Sequence, residues 1–151
     1  MRRKEREIKI KEEMESIIRR SSVCRLAMID GNHPYIIPLC FGYTEDTLFF
    51  HSAPEGKKID ILKINNSVCV EFDTDQEFIK NETACKWGLK YTSVLAFGKA
   101  SFIENPDEKR KALDVIMSHY SDAFFSYSSK DLEKIVVIKV VIHEMTGKRS
   151  A

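Results

Sequence analysis

Near the start of the chain, Ile10, Met14, Ile17 and Ile18 recur at i, i+4, i+7 and i+8, the spacing of one helical stripe, and predict a helix over 9–20 with one buried face. The period then shortens. The runs "VCRLAMI", "PYIIPLCFGY" and "TLFFHS" are rich in β-branched and aromatic residues and are separated by the turn-forming "DGNH" and "TED", which predicts a three-stranded meander. Pro34 and Pro38 stand in the middle run. A proline donates no ladder hydrogen bond, so this strand is expected to be bulged or to turn those positions to an edge or a ligand.

A short helix is expected over 55–64, ended by "NNS", followed by a strand "VCVEFDT", a polar segment over 75–90 and a long apolar run "YTSVLAFGKASFI". Asn105 can cap the next helix, with Pro106 at its first position and Glu108 three residues after the cap. Leu113, Ile116, Met117 and Tyr120 would form its buried stripe. The final run, "IVVIKVVIHEM", has the β-branched content of a strand. Six or so strands with few, peripheral helices predict a mainly β fold, a small antiparallel barrel.

The chain has 151 residues and no repeats or flexible linkers, so one domain over 1–151 is expected. Its 24 basic and 23 acidic residues leave a net charge of +1, too little for a general field that would gather nucleic acid. It also lacks a basic stripe with exposed aromatics. No apolar stretch has the length of a membrane span, and the start "MRRKEREIKIKEEMES" is charged throughout, so a cytoplasmic protein without a membrane partner is expected. The basic "MRRKER" reads as a solvated lead-in to the first helix. Cys24, Cys40, Cys69 and Cys85 form no zinc-ligand pattern and read as buried thiols.

The stretch "HSAPEGKK", 51–58, joins a strand to a helix. Pro54 suits a first helical turn, and the helix start leaves N–H groups without partners. Gly56 lets an anion approach the main chain, the Ser52 hydroxyl can donate, and Lys57 and Lys58 add charge; together they suit a phosphate. The plainer reading is a solvated basic pair. Two lysines at this end oppose the helix dipole, a conflict that a bound anion would relieve.

In order along the chain, "MRRKERE", "PYIIPLCFGY", "LFFHSAPEGKKIDIL", "YTSVLAFGKA", "EKRKALDVIMSHY" and "MTGK" resemble the flavin-dependent split β-barrels related to pyridoxamine 5′-phosphate oxidase, in the branch around nitroimidazole-resistance proteins. The resemblance implies a six-stranded antiparallel split barrel that forms a homodimer with FMN at the subunit interface. It places His51, Ser52 and Ala53 beside the flavin, and Gly56 and Lys58 in a Gly-x-Lys phosphate element with Lys57 in the variable slot. Tyr91 and Ser93 match a Tyr-x-Ser element that donates to phosphate or ribityl chain. Pro38, Leu39, Cys40 and Phe41 match main chain laid against the isoalloxazine ring. Lys148 matches a position near the ring, and Met145 stands where relatives often carry tryptophan.

His51 is also a candidate proton donor over the flavin, because imidazole exchanges protons in the neutral range; orienting the phosphate corner is its other reading. His33, His119 and His143 read as structural or solvated, and no metal site is expected. Trp87, the lone tryptophan, reads as core or dimer interface rather than flavin stacking. The implied activity is an FMN-dependent oxidoreductase, reduced by NADH or NADPH, that passes electrons to a small oxidised acceptor such as a nitro compound. A flavin-storage module and a haem-binding split barrel are the alternatives. The chain carries no Arg-Leu-x-Pro element, which argues against oxidation of a pyridoxine phosphate.

Overall fold

The structure, a computed structural model, describes residues 3–150; Met1 and Arg2 of the basic lead-in lie outside them. The first helical stripe folds as α1, Lys11–Arg20, burying Met14, Ile17 and Ile18. Ile10, expected in that stripe, instead precedes the helix and is exposed. Before α1, a short strand β1 (Glu7–Ile8) pairs with the end of the last strand.

The strands are β2 (Cys24–Asp30), β3 (His33–Leu39), β4 (Gly42–Thr44), β5 (Thr47–Ser52), β6 (Ser67–Ile79), β7 (Gly88–Ile103) and β8 (Val136–Ser150). All pair antiparallel in one sheet of order β3-β2-β6-β7-β8-β5-β4. Six of them are long, so the expected mainly β, antiparallel split barrel is the observed architecture. The expected meander is not. The run "PYIIPLCFGY" breaks at Cys40 and Phe41, so β3 pairs with β2 at one edge while β4 pairs with β5 at the other.

The break has a packing cause. Phe41 is fully buried and meets Phe72 edge-on at 5.0 Å, and Gly42 brings the main chain against the helix Pro106–Ser118. A Cβ on Gly42 would lie 2.6 Å from the backbone of Val115 and Ile116. The prolines fit because β3 is an edge strand with no second partner. Four residues apart, they share an orientation, so both can occupy positions whose N–H would point away from β2.

Inside the barrel, alternate residues of β2, β6, β7 and β8 bury Leu26, Met28, Val70, Phe72, Val94, Ala96, Ile138 and Val140. The helix α2 (Lys57–Ile64) closes one end with Ile59, Ile61 and Leu62. Asn105 caps α3 (Pro106–Ser118) as expected, accepting from the N–H groups of Asp107 and Glu108. This helix and a short α4 (Ser129–Glu133) cover Ile103 and Val137 on the outer face.

Candidate functional site

Ser52 ends β5, and four residues later the chain turns into α2 through Gly56, at φ +126°. A Cβ there would meet nothing within 4 Å. The glycine is therefore required by the backbone conformation, which other residues avoid, and not by crowding. No side chain caps α2, and its first main-chain bonds run from the Ile59 and Asp60 N–H groups to Gly56 O, at 2.9 and 3.1 Å. The N–H groups of Lys57 and Lys58 lie before that ladder, at the positive end of the helix.

The two lysines differ. Lys57 Nζ pairs with Asp30 at 3.1 Å and lies 4.9 Å from the centre of the Tyr35 ring. Lys58 is half-buried, and burial holds its ammonium below the ordinary lysine range, with no carboxylate among the described residues close enough to raise it. A partly desolvated cation and an uncapped helix start are both features that suit an anion.

The β3–β4 break passes beside this corner. Gly42 is level with Phe49 of β5, the first rung of that pairing, and Cys40 and Phe41 come just before it in the chain. Phe41 and Phe50 are buried, whereas Pro38, Cys40, His51 and Ala53 are exposed and Leu39 and Ser52 half-buried. Cys40 thus corrects the expectation of a buried thiol, as does exposed Cys85; Cys69 is intermediate and Cys24 fully buried. Alternation explains Cys24 and Cys40, since Cys24 points inward on β2 while Cys40 sits at the break. Burial pushes the Cys24 thiol up to about 12, and its Sγ donates to Leu39 O at 3.5 Å.

Tyr120 was expected in the buried stripe of α3, but it lies beyond the helix end and is 40% exposed. Its hydroxyl accepts from the Phe41 N–H and donates to Ser22 O, both at 3.0 Å. The neighbouring His119 ring lies 4.4 Å from Phe41, with Nε2 2.7 Å from Ser21 O. Both residues hold Phe41, and with it the end of the stretch 38–41, in place. Periodicity concealed this, because a tyrosine at helical spacing reads as core.

The remaining expected residues form a second cluster. Tyr91, Ser93 and Lys148 are half-buried on the outer face; Ser93 pairs with Lys148 across β7 and β8, and Lys148 Nζ donates to the Tyr91 hydroxyl at 2.9 Å. Met145 turns the other way and packs against the core. The two clusters do not meet within one chain. Lys57 sits at Asp30, while the row Asp73, Ser93, Lys148 lies beyond Arg25, near the opposite end of β2. Those five residues of strand span about 17 Å, and the step from β2 to β8 adds about 14 Å. By the other route, Ser52 pairs with Val136, and the strand from there to Lys148 runs for about 40 Å.

A sequence model of the pyridoxamine 5′-phosphate oxidase family matches residues 11–149. The chain belongs to that family. No curated protein sequence matches it. Among solved structures, a candidate 5-nitroimidazole antibiotic resistance protein of Bacteroides thetaiotaomicron is 40% identical, with a TM-score of 0.87 over 95% of this chain and 86% of that one. An FAD and haem binding protein of Mycobacterium smegmatis shares the fold at 18% identity, TM-score 0.87, over 96% of this chain and 73% of its own. The flavocytochrome Anf3 of Azotobacter vinelandii does so at 16%, TM-score 0.84, over 96% and 69%. Among the described residues of this family member, no helix is long and apolar enough to cross a membrane, and no cluster of side chains suits a metal ion.

Proposed function

We propose that this member of the pyridoxamine 5′-phosphate oxidase family is an FMN-binding oxidoreductase that reduces a small oxidised acceptor, with NADH or NADPH as the electron donor. The observation that carries this reading is Lys58, half-buried and without a counter-charge at an uncapped helix start. Its ammonium, the N–H groups of Lys57 and Lys58 and the Ser52 hydroxyl would hold the phosphate. The main chain of Pro38, Leu39, Cys40 and Phe41 would lie along the ring, beside Ala53. A bound flavin supplies the hydride and electron chemistry. His51, exposed at the same edge, can hand a proton to the acceptor. Likeness to the Bacteroides protein supports a nitro-aromatic acceptor.

The site is completed in a homodimer. Tyr91, Ser93 and Lys148, too far from Lys58 in their own chain, would reach the flavin from the second subunit. An apolar row on the outer face supports such a contact: exposed Ile36 pairs with Ala27, Ala27 with Cys69, and Cys69 with Phe97, with Ile29 and Leu95 exposed beside it.

The absorbance spectrum of the purified protein tests the cofactor. Flavin bands in the near-ultraviolet and blue are expected; a single intense Soret band would assign haem instead, and a protein that binds neither would refute the reading. Stopped-flow mixing with NADH and NADPH should then bleach the flavin. A flavin that neither donor reduces would mean storage.

A further inference from the structure

Strands β6 and β7 run on past the barrel as a two-stranded arm. Asp75, at φ +60°, starts the arm at a bulge between Thr74 and Glu77, and the rungs continue as Glu77–Lys90, Phe78–Leu89 and Ile79–Gly88. The base is firmly tied. Arg20 and the Thr92 hydroxyl both donate to the Asp75 carboxylate, at 2.7 and 2.8 Å, and the Ser150 hydroxyl donates to Leu89 O at 3.0 Å. The tip is ordered too, because the Trp87 indole N–H donates to Asn81 O at 2.6 Å.

This arm has an apolar surface that the other described residues leave largely uncovered. Phe78 is 70% exposed, Trp87 52%, Ile79 41% and Leu89 39%. A lone two-stranded ribbon is marginal in water, and grouped large apolar side chains at its end mark a contact surface. Its place in the fold indicates what covers it. Strand β7 carries Leu89 directly into Tyr91 and Ser93, about 7 and 13 Å further along, and in the dimeric site proposed above these residues meet the Lys58 corner of another subunit. Wherever they dock, the arm arrives beside them.

We propose that residues 75–90 form an intersubunit strap, which lies on the second copy of this chain beside that copy's Lys58 corner and covers Phe78, Trp87 and Leu89. The placement rests on the dimeric flavin site proposed above. An apolar strap at the mouth of the corner excludes water from the flavin and offers an aromatic wall to a planar acceptor.

Trp87 is the single tryptophan of the chain, so its emission reports on the strap alone. Flavin-free protein is measured at concentrations on both sides of the dimer's dissociation, fixed by sedimentation, with acrylamide as quencher. Shielding of Trp87 at least threefold in the dimer, with emission moved to shorter wavelength, is expected. Adding FMN to the dimer should quench more than half of the emission by energy transfer. Phe78→Asp, at an exposed position, should raise the dimer dissociation constant at least tenfold and leave the melting temperature of the monomer unchanged.

A chain that stays monomeric, a Trp87 equally accessible in monomer and dimer, or FMN that binds without quenching would overturn the strap. The cofactor reading fails separately. Shielding of Trp87 in a dimer that takes up no FMN would support the strap while refuting the flavin, and FMN bound to a dimer with exposed Trp87 would do the reverse.

Discussion

At the start of α2 a half-buried lysine has no partner among the described residues, whereas at the far end of the sheet Lys148 donates to the Tyr91 hydroxyl and stands 5.4 Å from the centre of that ring. Both regions hold residues expected to touch one flavin, yet of the two lysines only the second has a hydrogen-bond partner among the described residues. An unpaired, partly desolvated cation costs free energy, and a fold keeps it where a ligand offsets that cost. A lysine that already has a neutral hydroxyl partner can serve a ligand but does not require one. The α2 corner should therefore set affinity for the phosphate, and the strand cluster should act later, through the dimer.

Gly56→Val should show the largest effect at the corner. A branched side chain at φ +126° is strained by roughly 1–3 kcal/mol, so the loop relaxes and FMN affinity falls by up to about a hundredfold in fluorescence titrations. Unchanged affinity would mean that the phosphate lies elsewhere. Lys148→Met should weaken FMN and riboflavin alike, by about tenfold if one charged hydrogen bond is lost. The loss should appear in dimers only, so a loss of equal size in a monomeric variant would remove the difference between the two regions.

A smaller effect follows from pH. Burial lowers the free Lys58 ammonium, and a neighbouring phosphate dianion favours its charged form. FMN binding should take up a proton between those two values, so affinity falls as pH rises through that window, which opens below the ordinary lysine range. Riboflavin, lacking the phosphate, should not follow, and calorimetry in two buffers measures the proton uptake. Lys57→Ala should change least, by less than about fivefold and removable with salt, because its exposed ion pair with Asp30 is screened.

The difference between the lysines was not legible in the sequence, where "GKK" offers two equal cations and only the family resemblance separates them. Their separation comes from tertiary packing: Asp30 and Tyr35 on the β2–β3 hairpin take up Lys57, and helix burial takes Lys58. Local signals served well where a residue acts on its near neighbours in the chain, as with the Asn105 cap and the turns after β2 and β4. The edge placement of Pro34 and Pro38 was one of the anticipated outcomes.

Signals failed where partners are distant in the chain. Nothing local in "PLCFGY" announces that its two halves pair at opposite edges of the sheet. The polar segment 75–90 concealed an arm because its strands alternate against solvent on both faces. The role of Tyr120 depends on Phe41 N–H, 79 residues away. The Ser128–Asp131 capping box that starts α4 was present in the sequence and went unread.

The central claim is that Lys58 holds the FMN phosphate, and titrating FMN and riboflavin into flavin-free wild type and Lys58→Ala tests it most directly. A hydrogen bond to a charged group contributes about 1.5–3 kcal/mol, so FMN should bind the variant roughly ten- to a hundredfold more weakly while riboflavin and the unfolding midpoint barely change. Equal losses for both ligands, or none for FMN, would contradict the claim and leave Lys58 a solvated surface residue.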